Sequence, residues 1–165
     1  MLQGTLFFML LTATATLTGP AQGQVDAILS SSAFRAGAWT LLARGGFGNR
    51  ATERAAFLVR RSDGAIDVVE WPFQSTFLSA RWEGRIPDGA IAILHTHPNV
   101  APYPSPNDVE VARQIKLPVF VITRRTIAWT EGQRSKSIWI GAWSGPQDAF
   151  AVACLEQGAA ARRAP

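Results

Sequence analysis

Apolar residues change their spacing several times along the chain, and each change predicts an element. After Ser30-Ser31-Ser32, the residues Phe34, Ala38, Leu41 and Leu42 recur at helical intervals until Gly45-Gly46, which predicts a helix with its start and stop signals. "ERAAFLVRR" and "AIDVVEW" are two strand-like runs separated by Ser62-Asp63-Gly64, a turn signal, and together predict a hairpin. "AIAILHTH" is continuously apolar until its two histidines, as expected of a buried central strand. "SPNDVEVARQIK" predicts a helix that starts at Ser105. "PVFVIT", "TIAWT" and "IWIGAW" predict strands, the last two joined by the polar turn "EGQRSKS". Upstream, "VDAIL" from Val25 is a short strand-like run. "QSTFLSARWEGRIPDG" predicts irregular surface, and "SGPQDAFAVACLEQG" opens with a Ser-x-x-Gln cap and predicts a closing helix. The order is β-α-β-β-β-α-β-β-β-α, an α/β domain with a mixed sheet flanked by helices.

Length and composition narrow the class. The chain has 165 residues, enough for one domain and too few for a (β/α)8 barrel, which needs about 250. An apolar share of 47% with six tryptophans is the make-up of a packed core and excludes a disordered chain. The net charge is +4, but the arginine pairs Arg60/Arg61, Arg124/Arg125 and Arg162/Arg163 are scattered, which argues for a solvated basic surface and against a nucleic-acid arm.

The first 23 residues read as a secretory signal peptide. Leu6 to Leu11 is an unbroken apolar run, Ala21-Gln22-Gly23 offers small residues for cleavage, and the run is too short for a stable membrane span. No Lys or Arg precedes it, a departure from the usual pattern. Export to the periplasm or medium is therefore expected if this segment is a signal peptide, and a cytoplasmic protein otherwise, with the domain proper over residues 24–158 and a frayed tail over 159–165. Cys154 is the only cysteine, so an intramolecular disulfide is excluded, and its apolar surroundings predict a packed thiol.

The chain's only two histidines, His95 and His97, sit two apart at the end of the apolar strand, so they project from one face. Neutral imidazoles side by side suit a shared cation, although histidines held by backbone partners give the same spacing. Ser105-Pro106-Asn107-Asp108 is what a helix start looks like, with Ser105 as cap, Pro106 in the first turn and Asp108 returning a hydrogen bond. A carboxylate there is kept ionised by the helix dipole, which is also what a metal ligand requires.

Taken together, His95-x-His97-Pro98, six residues, then Ser105-x-x-Asp108 resembles the motif of the JAB/MPN (JAMM) zinc metallopeptidases, in the prokaryotic JAB-like form. The element order from about Val25 to Trp143 is similar as well. The resemblance implies a single JAB/MPN-like domain binding one zinc ion through His95, His97 and Asp108. It also implies an upstream glutamate as general base. Glu53, Glu70 and Glu83 are the candidates, and Glu53 is preferred because "ERAAFLV" is similar to the family's Glu-x-x-Gly-x-Leu strand, with Ala56 where glycine is usual. Ser105 would then stabilise the oxyanion. Members of this family hydrolyse peptide or isopeptide bonds, often beside the tail of ubiquitin or a ubiquitin-like protein. Two alternatives stay open: a catalytically silent scaffold of the same fold, and an envelope hydrolase of cell-wall peptide crosslinks.

Overall fold

The computed structural model describes residues 22–73, 80–133 and 135–139. Its backbone is organised by one six-stranded mixed sheet with strand order β2-β1-β3-β4-β5-β6. The hairpin is β1 (Ala55–Arg60) and β2 (Ile66–Glu70), paired antiparallel. In its turn the Asp63 carboxylate accepts from the Ala65 N–H at 3.0 Å, and Gly64 takes φ +85°, a conformation costly for residues with a side chain. β3 (Ala90–Thr96) pairs antiparallel with β1 on one side and parallel with β4 (Val119–Ile122) on the other. The parallel pair is connected through α3 (Pro106–Ile115), because parallel neighbours need a crossover. β5 (Thr126–Thr130) and β6 (Ser135–Trp139) complete the sheet antiparallel.

α1 (Gln22–Ser30) and α2 (Ser32–Arg44) cover one face of the sheet. The Ser31 hydroxyl caps α2 by accepting from the Phe34 N–H at 3.1 Å. Phe34, Ala38, Leu41 and Leu42 are buried against Ala56, Leu58, Leu94, Phe120 and Ile122, with the Phe34 and Phe120 rings edge to face at 5.2 Å. The alternate residues Phe57, Ile93 and Val119 face the other way, toward Ala112 of α3. β3 is therefore apolar on both faces, as its sequence predicts.

Two local expectations are corrected. The strand-like run "VDAIL" lies within α1: Val25, Ile28 and Leu29 are buried at i, i+3 and i+4, and a run this short satisfies either period. β6 starts earlier than expected, at Ser135, because Thr130 pairs with Ser135 and shortens the turn. Its exposed first residues, Ser135-Lys136-Ser137, carry the polar character of an edge strand and hide the alternation. The amino-terminal 21 residues, the expected closing helix with Cys154 and the tail over 159–165 lie outside the described residues. Among the described residues, no helix is long and apolar enough to cross a membrane.

Candidate metal centre

Strand alternation brings the histidines together. Odd-numbered Ile93 and His95 point to the α3 side, and His97 follows on the same side, its N–H donating to the Ile122 carbonyl at 3.0 Å. Their Nε2 atoms lie 3.0 Å apart, and both residues are buried. His97 Nδ1 lies 2.9 Å from the Ala101 carbonyl, which can only accept, so Nδ1 carries the hydrogen and Nε2 presents a lone pair. α3 supplies the third member of the group. Ser105 caps it in a reciprocal box: the Ser105 N–H and hydroxyl each donate to Asp108 Oδ2 at 2.7 Å, while the Asp108 N–H donates to Ser105 Oγ at 3.2 Å. This leaves Asp108 Oδ1 3.4 Å from His95 Nε2 and Oδ2 3.6 Å from His97 Nε2.

The donor set fits a metal ion. One nitrogen or oxygen from each of His95, His97 and Asp108 lies within 4.8 Å of the others. Tetrahedral ligands with bonds of about 2.0–2.1 Å sit roughly 3.3 Å apart, close to the separations of 3.0, 3.4 and 3.6 Å here. Two facing imidazole nitrogens beside a carboxylate form the arrangement in which a buried cation relieves lone-pair repulsion.

Glu53, just ahead of β1, reaches the same place, with Oε1 3.8 Å from His97 Nε2. Burial holds its carboxyl above the ordinary carboxylate range, and the Asp108 charge adds to this. The His97 ring and the Ala80 N–H, which donates to it, pull the other way. The pairing register separates it from its rivals. Ala55 pairs with His95 and shares its face, whereas Glu70 pairs with Ala56 and turns to the opposite face, where it meets Arg44 and Arg54. Glu83 is exposed and pairs with Arg81 at 3.6 Å. The structure thus brings together Glu53, His95, His97, Ser105 and Asp108, and leaves Glu70 and Glu83 outside. All five line one cleft of about 500 Å³.

Burial lowers the pKa of His95 to about 4, against the pull of Asp108 and with help from His97. The folded value lies below the unfolded 6.5, so the unfolded chain binds the extra proton between them. The contribution to stability is whole above about pH 6.5 and is lost as pH falls toward 4, on the order of 3 kcal/mol in all. Glu53, with its raised value, has the opposite sign. The metal-free protein and a His95→Gln variant, unfolded in urea with chelator across this range, should therefore converge in stability on acidification. A constant gap would contradict the assignment.

Sequence reasoning missed Asn99, two residues past His97. Its Nδ2 donates to the Phe47 carbonyl at 2.9 Å and to Asn49 Oδ1 at 3.2 Å, and its Oδ1 accepts from the Arg124 N–H at 3.0 Å. Its own N–H donates to the Gly48 carbonyl at 3.0 Å. The histidine loop, the loop after α2 and the β4–β5 turn are thereby tied together. Gly48 is required there: φ is +71°, and a Cβ would come 2.7 Å from Asn99 Oδ1. Gly48→Ala is expected to cost roughly 2 kcal/mol in urea unfolding. An unchanged midpoint would show that the knot is slack. The adjacency of Asn99 to His-Pro and the "GGFG" loop were the available signals. The Ala80 N–H and Ala101 carbonyl are backbone groups and left none.

This mixed α/β domain thus gathers His95 and His97 at the carboxyl end of an inner strand and Asp108 at the start of α3 into a group that could hold a metal ion. The sequence profile of the prokaryotic homologs of the JAB domain matches residues 48–139, more than half of the chain, and the protein belongs to that family. Neither the curated proteins nor the solved structures contain a match.

Proposed function

We propose that the protein is a zinc-dependent hydrolase of peptide or isopeptide bonds. The observation that carries this reading is the convergence of Glu53 on the His95/His97/Asp108 group within one cleft. Two imidazoles and a carboxylate are zinc ligands, and three protein ligands leave the open position of a catalytic site. Bound there, zinc supplies Lewis acidity and lowers the pKa of a water toward neutrality. His95, His97 and Asp108 would hold it, and the Ala101 carbonyl fixes the ring of His97.

Glu53 acts as the general base and then the general acid. Burial raises its pKa above that of a free carboxylate, the direction that favours taking up a proton and giving it back. It takes a proton from the attacking water as oxygen adds to the carbonyl carbon, and returns it to the leaving nitrogen as the C–N bond breaks. Ser105 holds Asp108 through two hydrogen bonds. When its hydroxyl turns into the cleft it donates to the oxyanion of the tetrahedral intermediate, a role worth roughly 3 kcal/mol. The substrate is a peptide or protein, and the signal-peptide-like character of the amino-terminal apolar run supports a reaction outside the cytoplasm.

The test is elemental analysis of the purified protein, followed by a screen of peptides and lysine-linked isopeptides. About one zinc per chain with cleavage in the screen is expected. Bound zinc without turnover of any peptide or isopeptide would favour the silent scaffold instead.

A further inference from the structure

The cleft holds more than the metal group. Along the α3 side of the sheet, the row at the site reads Ala55–His95–Val121, and the next row reads Phe57–Ile93–Val119. Ala55 contributes only a methyl group beside His95, so the space continues past the metal ligands instead of closing. Its inner end is lined by Ala55, Trp71, Ile93, Val111 and Val119. None of these can hold a polar group by its side chain except through the Trp71 indole N–H, which is buried and without a partner among the described residues.

The walls are fixed. The Trp71 backbone N–H donates to the Ala55 carbonyl at 2.8 Å, which holds this residue alongside the cleft. Its ring packs on Phe57 at 5.1 Å and Trp82 at 5.9 Å. Val111 stands one turn beyond Asp108 on α3, so the helix that presents the carboxylate also closes this end.

We infer that this inner end is a subsite for an apolar side chain, of leucine size, on the substrate residue next to the scissile bond. The inference rests on the hydrolase reading above and names its substrate class. A glycine at that position would leave the apolar walls facing water, whereas a branched aliphatic chain removes both surfaces from it. A charged side chain would give up its hydration there against Ala55, Trp71, Ile93, Val111 and Val119, none of which carries a charge. Sites of this kind discriminate by volume, and each methylene counts.

The test uses the zinc-loaded full chain and two chelating probes that differ only in the side chain, N-acetylglycine hydroxamate and N-acetylleucine hydroxamate, followed by calorimetry. The leucine compound is expected to bind at least tenfold more tightly. Ala55→Leu, which fills the space, should erase the preference while zinc content and affinity for the glycine compound hold. Val111→Phe, which narrows the same space from the helix, serves if that strand variant does not fold. Equal affinities for the two compounds in zinc-loaded wild type would overturn the subsite and leave the metal site standing. Failure to take up zinc would overturn both. A leucine preference with bound zinc but no hydrolysis would keep the subsite and remove the hydrolase reading.

Discussion

The His95→Ala/His97→Ala double variant is expected to purify folded and without metal, against about one zinc per chain in the wild type. Both rings are buried, and the burial that depresses the pKa of His95 keeps it neutral. Their loss leaves space but no unpaired cation. Asp108 keeps its two hydrogen bonds from Ser105, so the start of α3 survives. One carboxylate is far too little to retain zinc, because its affinity comes from several ligands converging at fixed distances. Elemental analysis and circular dichroism on the same sample read both halves of the expectation. Full metal in the double variant would sink the site, and a collapsed fold would mean that the histidines serve packing first.

Glu53→Gln is expected to keep zinc and fold and to lose roughly 10²–10⁴-fold in hydrolysis rate. Glutamine preserves the shape and can still accept from the Ala80 N–H, so the loss isolates the proton-transfer role. Glu70→Gln breaks ion pairs to Arg44 and Arg54 on the opposite face, and Glu83→Gln breaks an exposed pair with Arg81. Both should turn over near the wild-type rate, since neither glutamate lines the cleft that holds Glu53 and the histidines. A Glu53→Gln enzyme as fast as wild type would remove this residue from the mechanism. If Glu70→Gln were silent instead, the register between β1 and β2 would have to differ from that described.

The elements legible in the chain are those set by local rules. α3 was readable because Ser105, Pro106 and Asp108 each have one preferred place at a helix start, and the capping box is there. β3 was readable because an inner strand buries both faces. α1 was not, since Val25, Ile28 and Leu29 are too few to separate a period of 2 from one of 3.6. β6 was displaced for a different reason: an edge strand can be polar on every residue that solvent reaches.

The candidate site divides along the same line. Sequence alone determined the residue types of the candidate site and the common face of His95 and His97, because neighbours two apart on a strand point the same way wherever the strand packs. It also determined that Asp108 starts a helix with Ser105 as its cap. It preferred Glu53 over Glu70 and Glu83 only through the likeness of "ERAAFLV" to a family strand, since facing is settled by pairing, and a shift of one residue reverses every side chain. Only the tertiary structure decided that Ala55 lies beside His95, which brings Glu53 to His97 and turns Glu70 away. The Asn99 knot, the Ala101 carbonyl behind His97 and the apolar end of the cleft were decided there too. Each depends on backbone groups or small side chains brought together from distant segments, and neither leaves a pattern in the order of residues.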